Sequence, residues 1–144
     1  DGLENVLKAG RRLSRGRLIT VFGCGGERDR SKRGLMGEVA GRYSDLSIVT
    51  NDNPRGEDPD QIFREIEPGL RSAEYMIVPD RQEAIYEALR MARQGDLVII
   101  AGKGHEGYQV FKDRVVPFND RQVAAELVAK ILAGRGKTGE DNGE

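Results

Sequence analysis

The sequence predicts an α/β domain: a mostly parallel sheet with helices on both faces and an antiparallel hairpin at one edge. Three observations carry this. Short runs rich in β-branched and apolar residues alternate with helical periodicities, the pattern of strand-helix-strand crossovers. Polar stretches bearing glycine or proline follow three of those runs. The length of 144 residues suits one core and is too short for two comfortable ones.

Taken in order, residues 2–14 place Leu3, Val6 and Leu7 on one helical face, and Gly16 ends that helix. Arg17 to Phe22 is a β-branched run bounded by glycine, a buried strand. Gly23, Gly25 and Gly26 then allow a sharp bend and a close approach to a ligand. Lys32 to Tyr43, with Leu35, Met36, Val39 and Ala40 on one side, is the first crossover helix, and Leu46 to Thr50 the second strand. Asp58 before Pro59 is an N-cap followed by proline at the first helical position, so a short helix carries Ile62, Phe63 and Ile66 and stops at Pro68-Gly69. Tyr75 to Val78 is the third strand. Asp80 and Glu83 have capping-box spacing for a helix bearing Ala84, Ile85, Ala88, Leu89 and Ala92, closed by Gly95. Leu97 to Ala101, the most continuous apolar run, is the fourth strand. Tyr108 to Phe111 and Arg114 to Val116, joined by Lys112-Asp113, form a hairpin. Asn119 or Asp120 caps a last helix bearing Val123, Ala124, Leu127, Val128 and Ile131. Apolar periodicity stops at Gly134, so residues 1–133 are expected to be the domain and 134–144 a disordered tail. A start at Asp1, inside a helical pattern and without methionine, is what a domain cut from a longer chain would show.

Composition excludes several functions. A net charge of -1 with 33% charged residues gives no global field for nucleic acid or an anionic membrane. Arg28, Arg30, Lys32 and Arg33 are a local basic cluster. The single cysteine, Cys24, forbids an internal disulfide and agrees with a reducing compartment. No apolar run has the length of a membrane span or signal-peptide core, and a cytoplasmic protein is expected. His105 is the only histidine and lacks cysteine partners, so it is expected to be a loop hydrogen-bonder and no metal site is expected. Two nucleotide signatures fail. Arg28 occupies the third glycine of a dinucleotide fingerprint, Gly102-Lys103 is followed by Gly104, and Gly136-Lys137-Thr138 has Ile131 where a P-loop needs glycine. The chain therefore lacks a triphosphate cradle of its own.

In a parallel sheet the loops after strands one, two and four open at the same edge, where small ligands bind. They offer Gly25, Gly26, Arg28 and Lys32, then Asp52, Asn53 and Arg55, then Gly102-Lys103-Gly104-His105-Glu106. An arginine on a turn stiffened by Pro54 suits a carboxylate, because its planar fork donates two parallel hydrogen bonds. Asn53-Pro54 also suits a plain turn, and Arg28 and Glu106 also suit solvated charges. Two arginines and one glutamate on one crevice fit an amino acid.

Phe22-Gly23-Cys24-Gly25-Gly26-Glu27-Arg28-Asp29 with Lys32-Arg33, then Asp52-Asn53-Pro54-Arg55, then Gly102-Lys103-Gly104-His105-Glu106, closely resemble the C-terminal domain of the Mur ligases of peptidoglycan synthesis. The likeness covers nearly all of the chain except the tail and implies a Rossmann-like α/β fold. Within the family, Asp52-Asn53-Pro54-Arg55 is similar to the motif of the branch that adds meso-diaminopimelate to UDP-N-acetylmuramoyl-L-alanyl-D-glutamate; lysine-adding relatives depart at the arginine. The resemblance implies that Asp52, Asn53, Pro54 and Arg55 recognise meso-diaminopimelate, with Arg55 on the distal carboxylate that lysine lacks. It further implies that Arg28 holds a carboxylate, Gly102 offers its carbonyl and Glu106 meets the distal ammonium. Lys32 and Glu27, the latter standing where aspartate is usual, would face nucleotide.

The family reaction uses ATP and Mg2+ to convert the D-glutamate side-chain carboxylate into an acyl phosphate, which the amine attacks. The parts that bind triphosphate and UDP-sugar belong to the family's N-terminal and central domains. By the resemblance this domain holds no catalytic residue, is inactive alone, orients the incoming amine and closes onto the central domain as a lid. A stand-alone amino-acid or anion binding module remains an alternative, as does a domain of a lysine-adding or folylpolyglutamate-type ligase.

Overall fold

The computed structural model describes residues 2–103 and 106–142, with side chains through residue 135. Helix α1 (Gly2–Leu13) leads into strand β1 (Leu18–Phe22), followed by α2 (Ser31–Tyr43), β2 (Leu46–Val49) and α3 (Pro59–Ile66), which runs on into a single 3-10 turn at Glu67–Leu70. Strand β3 (Tyr75–Ile77), α4 (Arg81–Met91), β4 (Leu97–Ile100), the short strands β5 (Tyr108–Val110) and β6 (Val115–Pro117), and α5 (Asp120–Asn142) complete the chain. Strands β1 to β4 form one parallel sheet in the order β3-β2-β1-β4. The chain moves outward from β1 to β3 and then returns through α4 to the other side of β1. That reversal creates a crevice at the carboxyl ends of β1 and β4, the usual ligand position in such sheets.

Alternation along the strands separates two cores. Leu18 and Phe22 of β1 and Val49 of β2 pack under α1, α2 and α3 with Leu7, Ala40, Ile62, Phe63 and Ile66. Ile19, Val21 and Ile48 face the opposite way, against Ala84, Ile85 and Ala88 of α4 and Leu127 of α5. Every residue of β1 is buried, as expected for the inner strand of a sheet covered on both faces. Thr20 is the one polar residue there, and its Oγ1 shares a 2.7 Å hydrogen bond with Ser44 Oγ.

The helix starts follow the sequence chemistry. Asp58 Oδ1 accepts from Asp60 N at 3.0 Å ahead of Pro59, Asp80 Oδ2 accepts from Glu83 N at 3.0 Å, and Asn119 Oδ1 accepts from Gln122 N at 3.0 Å. Gly95 is not the terminator of α4, which ends at Met91; it lies further on, at φ 92, in the turn whose carbonyl receives the amides of Arg15 and Gly16. The hairpin is antiparallel as expected but forms a sheet of its own. It packs on the loop after β2 rather than extending the main sheet, because Arg55 N donates to Val110 O (3.0 Å) and Gln109 Nε2 to Asp52 O (2.9 Å).

Helix α5 also continues past Gly134, where the sequence reading began an irregular tail. Helical hydrogen bonds are local and persist beyond the last packed apolar side chain. Arg135 still reaches α4 through a 3.4 Å contact to Arg90 O.

Candidate functional site

The loops after β1 and β2 are joined backbone to backbone. Gly26 N donates to Asn53 O at 2.8 Å, and a Cβ on Gly26 would lie 1.7 Å from Pro54 O. Only glycine allows that approach. Gly26→Ala should therefore part the two loops and destabilise the domain by about 1–3 kcal/mol, read as a lower urea midpoint and as amide shift changes reaching Arg55. Arg55 itself sits at φ 56, in the left-handed region that costs a side chain of this kind roughly 1–2 kcal/mol. Its surroundings hold it there through the Arg55 N to Val110 O bond and a 2.8 Å bond from Nη1 to Gly26 O. The rest of its fork has no partner among the described residues.

Arg28 is exposed and makes no hydrogen bond among the described residues. A Cβ built on Gly25 would be 3.0 Å from Arg55 Nη1 and 3.3 Å from Arg28 Cγ, so the two arginines flank one glycine. Arg28 also lines a cavity of about 360 Å³ with Gly25, Lys32, Asp52 and Gly102. Gly102, at φ 113, borders the carboxylate of Asp52. Cys24 opens on the same cavity, but burial pushes its thiol up to about 12, which leaves it a thiol at neutral pH and a poor nucleophile. Glu27 is turned away: it too has φ 56, its amide donates to Glu57 Oε1 at 3.0 Å, and its carboxylate lies beside Gly56.

An acidic and amide cluster adjoins this cavity and shares Asp52 with it. Asn53 Nδ2 donates to Glu106 Oε1 at 3.1 Å, and Lys103 Nζ lies 3.2 Å from Asn53 Oδ1, 3.5 Å from Glu106 Oε1 and 4.0 Å from Asp52 Oδ1. Asp52 Oδ1 is buried without a hydrogen-bond partner among the described residues. Burial raises the Asp52 carboxyl above its ordinary value, opposed by the charges of Arg81 and Lys103. His105 and Gly104 lie outside the described residues. Pro54 is buried and serves as the carbonyl against which Gly26 packs.

Behind these groups are two buried arginines. Arg33, 1% exposed, holds Glu57 with both prongs (2.6 and 2.8 Å), Glu65 at 2.8 Å and Gly25 O at 3.1 Å. Arg81, also 1% exposed, grips Asp120 twice at 2.7 Å and donates to Asn51 O (3.0 Å) and Ala101 O (3.1 Å), the roots of the second and third loops.

The hydrogen bonds from Arg33 hold Glu57 down at about 2, and those from Arg30 and then Arg33 do the same for Glu65. Groups depressed on folding stabilise the fold above their unfolded value of 4.5 and lose that contribution as pH falls toward 2. Urea midpoints should therefore climb with pH across this window. Arg33→Met should flatten the climb, leaving the part that Arg30 supplies to Glu65.

Residues 1–104 match the family described as Mur ligase, glutamate ligase domain. The chain belongs to the Mur ligase family. Among relatives, it is 61% identical over 131 residues to the UDP-N-acetylmuramoyl-L-alanyl-D-glutamate--2,6-diaminopimelate ligase of Syntrophomonas wolfei, covering 89% of this chain and 27% of that protein. It is 51% identical over 142 residues to the ligase of the same name from Aquifex aeolicus, covering 98% of this chain and 29% of the relative. A solved structure of such a ligase superposes with a TM-score of 0.85 at 41% identity, over 90% of this chain and 27% of the other. The chain thus spans little more than a quarter of these Mur ligases.

Of the residues singled out in the sequence, Arg28, Lys32, Asp52 and Gly102 line one cavity of this Mur ligase domain, Arg55 lies across Gly25 from Arg28 and lines a second cavity with Pro54, and Asn53 is hydrogen-bonded to Glu106. Glu27 faces the Glu57 side instead. Sequence reasoning named Lys103 and Arg33 without giving either a role, and missed Arg81. Lys103 had one usable signal, a lone lysine between glycines directly after a buried strand. The two arginines had none, since each lies in the first turn of an amphipathic helix beside another polar or charged residue.

Proposed function

We propose that this chain is the amino-acid-binding domain, residues 1–133 with the first part of the helical extension, of an ATP-dependent ligase that adds meso-diaminopimelate to UDP-N-acetylmuramoyl-L-alanyl-D-glutamate in the cytoplasm. The observation that carries the reading is the polarity of the crevice: Arg28 and Arg55 flank Gly25, while Glu106 and Asp52 surround a single buried lysine. One side suits carboxylates and the other an ammonium. The pinned Arg55 fork takes the distal carboxylate, Arg28 a second carboxylate, Glu106 the distal ammonium, and the Gly102 carbonyl and Asp52 complete the pocket with Asn53 and Pro54. Names of the relatives support the choice of diaminopimelate.

ATP supplies the activation that makes the acceptor carboxylate reactive toward an amine. The residues here that fit its phosphates are basic and line the glycine-rich loop, Lys32 with Arg28 as neighbour. Glu27 is exposed on the same loop, with its amide on Glu57 Oε1 and its carboxylate without a hydrogen bond among the described residues. Among the described residues there is no group of three or more His, Cys, Asp or Glu side chains that could hold a metal ion. The domain's contribution is orientation of the incoming amine.

An amide chemical-shift titration with meso-diaminopimelate and, in parallel, L-lysine tests the reading. Shifts at Arg28, Asn53, Arg55, Gly102 and Glu106 with the first ligand alone are expected. An equal response to both ligands would remove diaminopimelate from the proposal.

A further inference from the structure

We propose that Lys103 is a positioning residue that fixes the order of donor and acceptor in the crevice, and through it the configuration accepted at the ligand's distal carbon. The inference rests on the reading that this crevice takes diaminopimelate.

The Lys103 side chain is 0% exposed, an arrangement that costs stability unless the ammonium is paired and hydrogen-bonded. Its partners are not core groups but Asn53 Oδ1, Glu106 Oε1, Asp52 Oδ1 and the carbonyl of Tyr108. Asn53 Oδ1 also accepts from Val110 N at 3.1 Å. Two donors converging on that atom identify it as the oxygen, so the amide has one orientation. Asn53 Nδ2 then points to Glu106, spends one proton on Oε1, and has one N–H left to offer. Glu106 has Oε1 occupied by Asn53 and Lys103, while Oε2 has no partner among the described residues on a side chain that is 46% exposed. The crevice therefore presents a donor, with Arg55 on the same loop, next to an acceptor.

A tetrahedral carbon bearing a carboxylate, an ammonium, a hydrogen and the chain exchanges the first two when it is inverted. With the chain fixed, one configuration sets carboxylate on donor and ammonium on acceptor. The other either sets like against like or leaves one of the two groups without its partner. Meso- and L,L-diaminopimelate differ by this inversion at one end, so a crevice with fixed order separates them, and an Asn53 amide free to turn would separate them less.

The experiment compares Lys103→Met with the unaltered chain by NMR. Without ligand, the two Asn53 side-chain amide protons should be distinct and slow to exchange in the unaltered chain, and should exchange about tenfold faster or more in the variant. With ligand, a preference for the meso over the L,L isomer of roughly thirtyfold or more should fall by about threefold or more, because Arg55 and Glu106 still set carboxylate and ammonium apart while Asn53 no longer does. Equal weakening of both isomers with the preference intact, or unchanged Asn53 protons, would overturn the assignment. If Lys103→Met does not fold, Lys103→Gln keeps one donor for the Tyr108 carbonyl and carries the same expectations. Failure of the unaltered chain to bind either isomer would overturn the ligand reading and the stereochemical role together, and the Asn53 protons would then report on the positioning role separately.

Discussion

Replacing Arg81 by Met should lower the unfolding free energy by about 3–5 kcal/mol, the cost of stranding one member of a buried ion pair. Asp120 is only 6% exposed, and both of its oxygens are held by Arg81 at 2.7 Å. Against a typical total of roughly 5–15 kcal/mol, the variant would sit near the edge of folding. Urea unfolding at neutral pH measures it. Arg81→Met/Asp120→Leu should recover only part of the loss, because Ala101 O loses its side-chain donor and Asn51 O keeps only Gln109 Nε2. Full recovery would mean that the two carbonyl contacts contribute nothing, and that Arg81 does not brace the loop roots.

The second large effect is expected at Arg55. Removing one side of a hydrogen-bonded charge pair costs about 2–5 kcal/mol, so Arg55→Ala should weaken meso-diaminopimelate binding by roughly a hundredfold. L-lysine, which has no distal carboxylate, should be affected little. The left-handed backbone at φ 56 complicates alanine, which dislikes that region, and Arg55→Asn gives the cleaner comparison since asparagine tolerates it. If both variants weaken both ligands alike, the guanidinium is shaping the loop and not reading the ligand. Isothermal titration of the four combinations distinguishes these outcomes.

Much of this arrangement was legible in the residue order because it depends on local rules. Continuous β-branched and apolar runs located the strands and period-3.6 patterns the helices, and Asp58-Pro59, Asp80 and Asn119 marked helix starts that the hydrogen bonds bear out. The shared edge of the three loops followed from parallel connectivity alone. What stayed hidden depends on segments distant in sequence. Nothing in Tyr108 to Pro117 says that its partner is the loop after β2 and not a sheet edge. Lys103 looks like any loop lysine until Asn53, Glu106 and the Tyr108 carbonyl enclose it. Arg33 and Arg81 occupy helices with ordinary surface charges, and their burial is created by Glu57, Glu65 and Asp120 arriving from elsewhere. The extension of α5 past Gly134 was missed because apolar periodicity reports packing, and a helix can outrun its packed face.

The separate hairpin sheet also bears on the order in which the molecule assembles. β5 and β6 are hydrogen-bonded to no strand of the main sheet; they are anchored by bonds from Gln109, Val110 and Lys103 back to residues 51–55, across separations of up to 58 residues. Contacts of that span form only after the chain between them is already compact. The sheet and its two cores can thus exist before the crevice does, and the crevice can open while they remain closed. Exchange of the Arg55 and Val110 amides in a single step, ahead of those of β1, would be the signature of this two-tier stability.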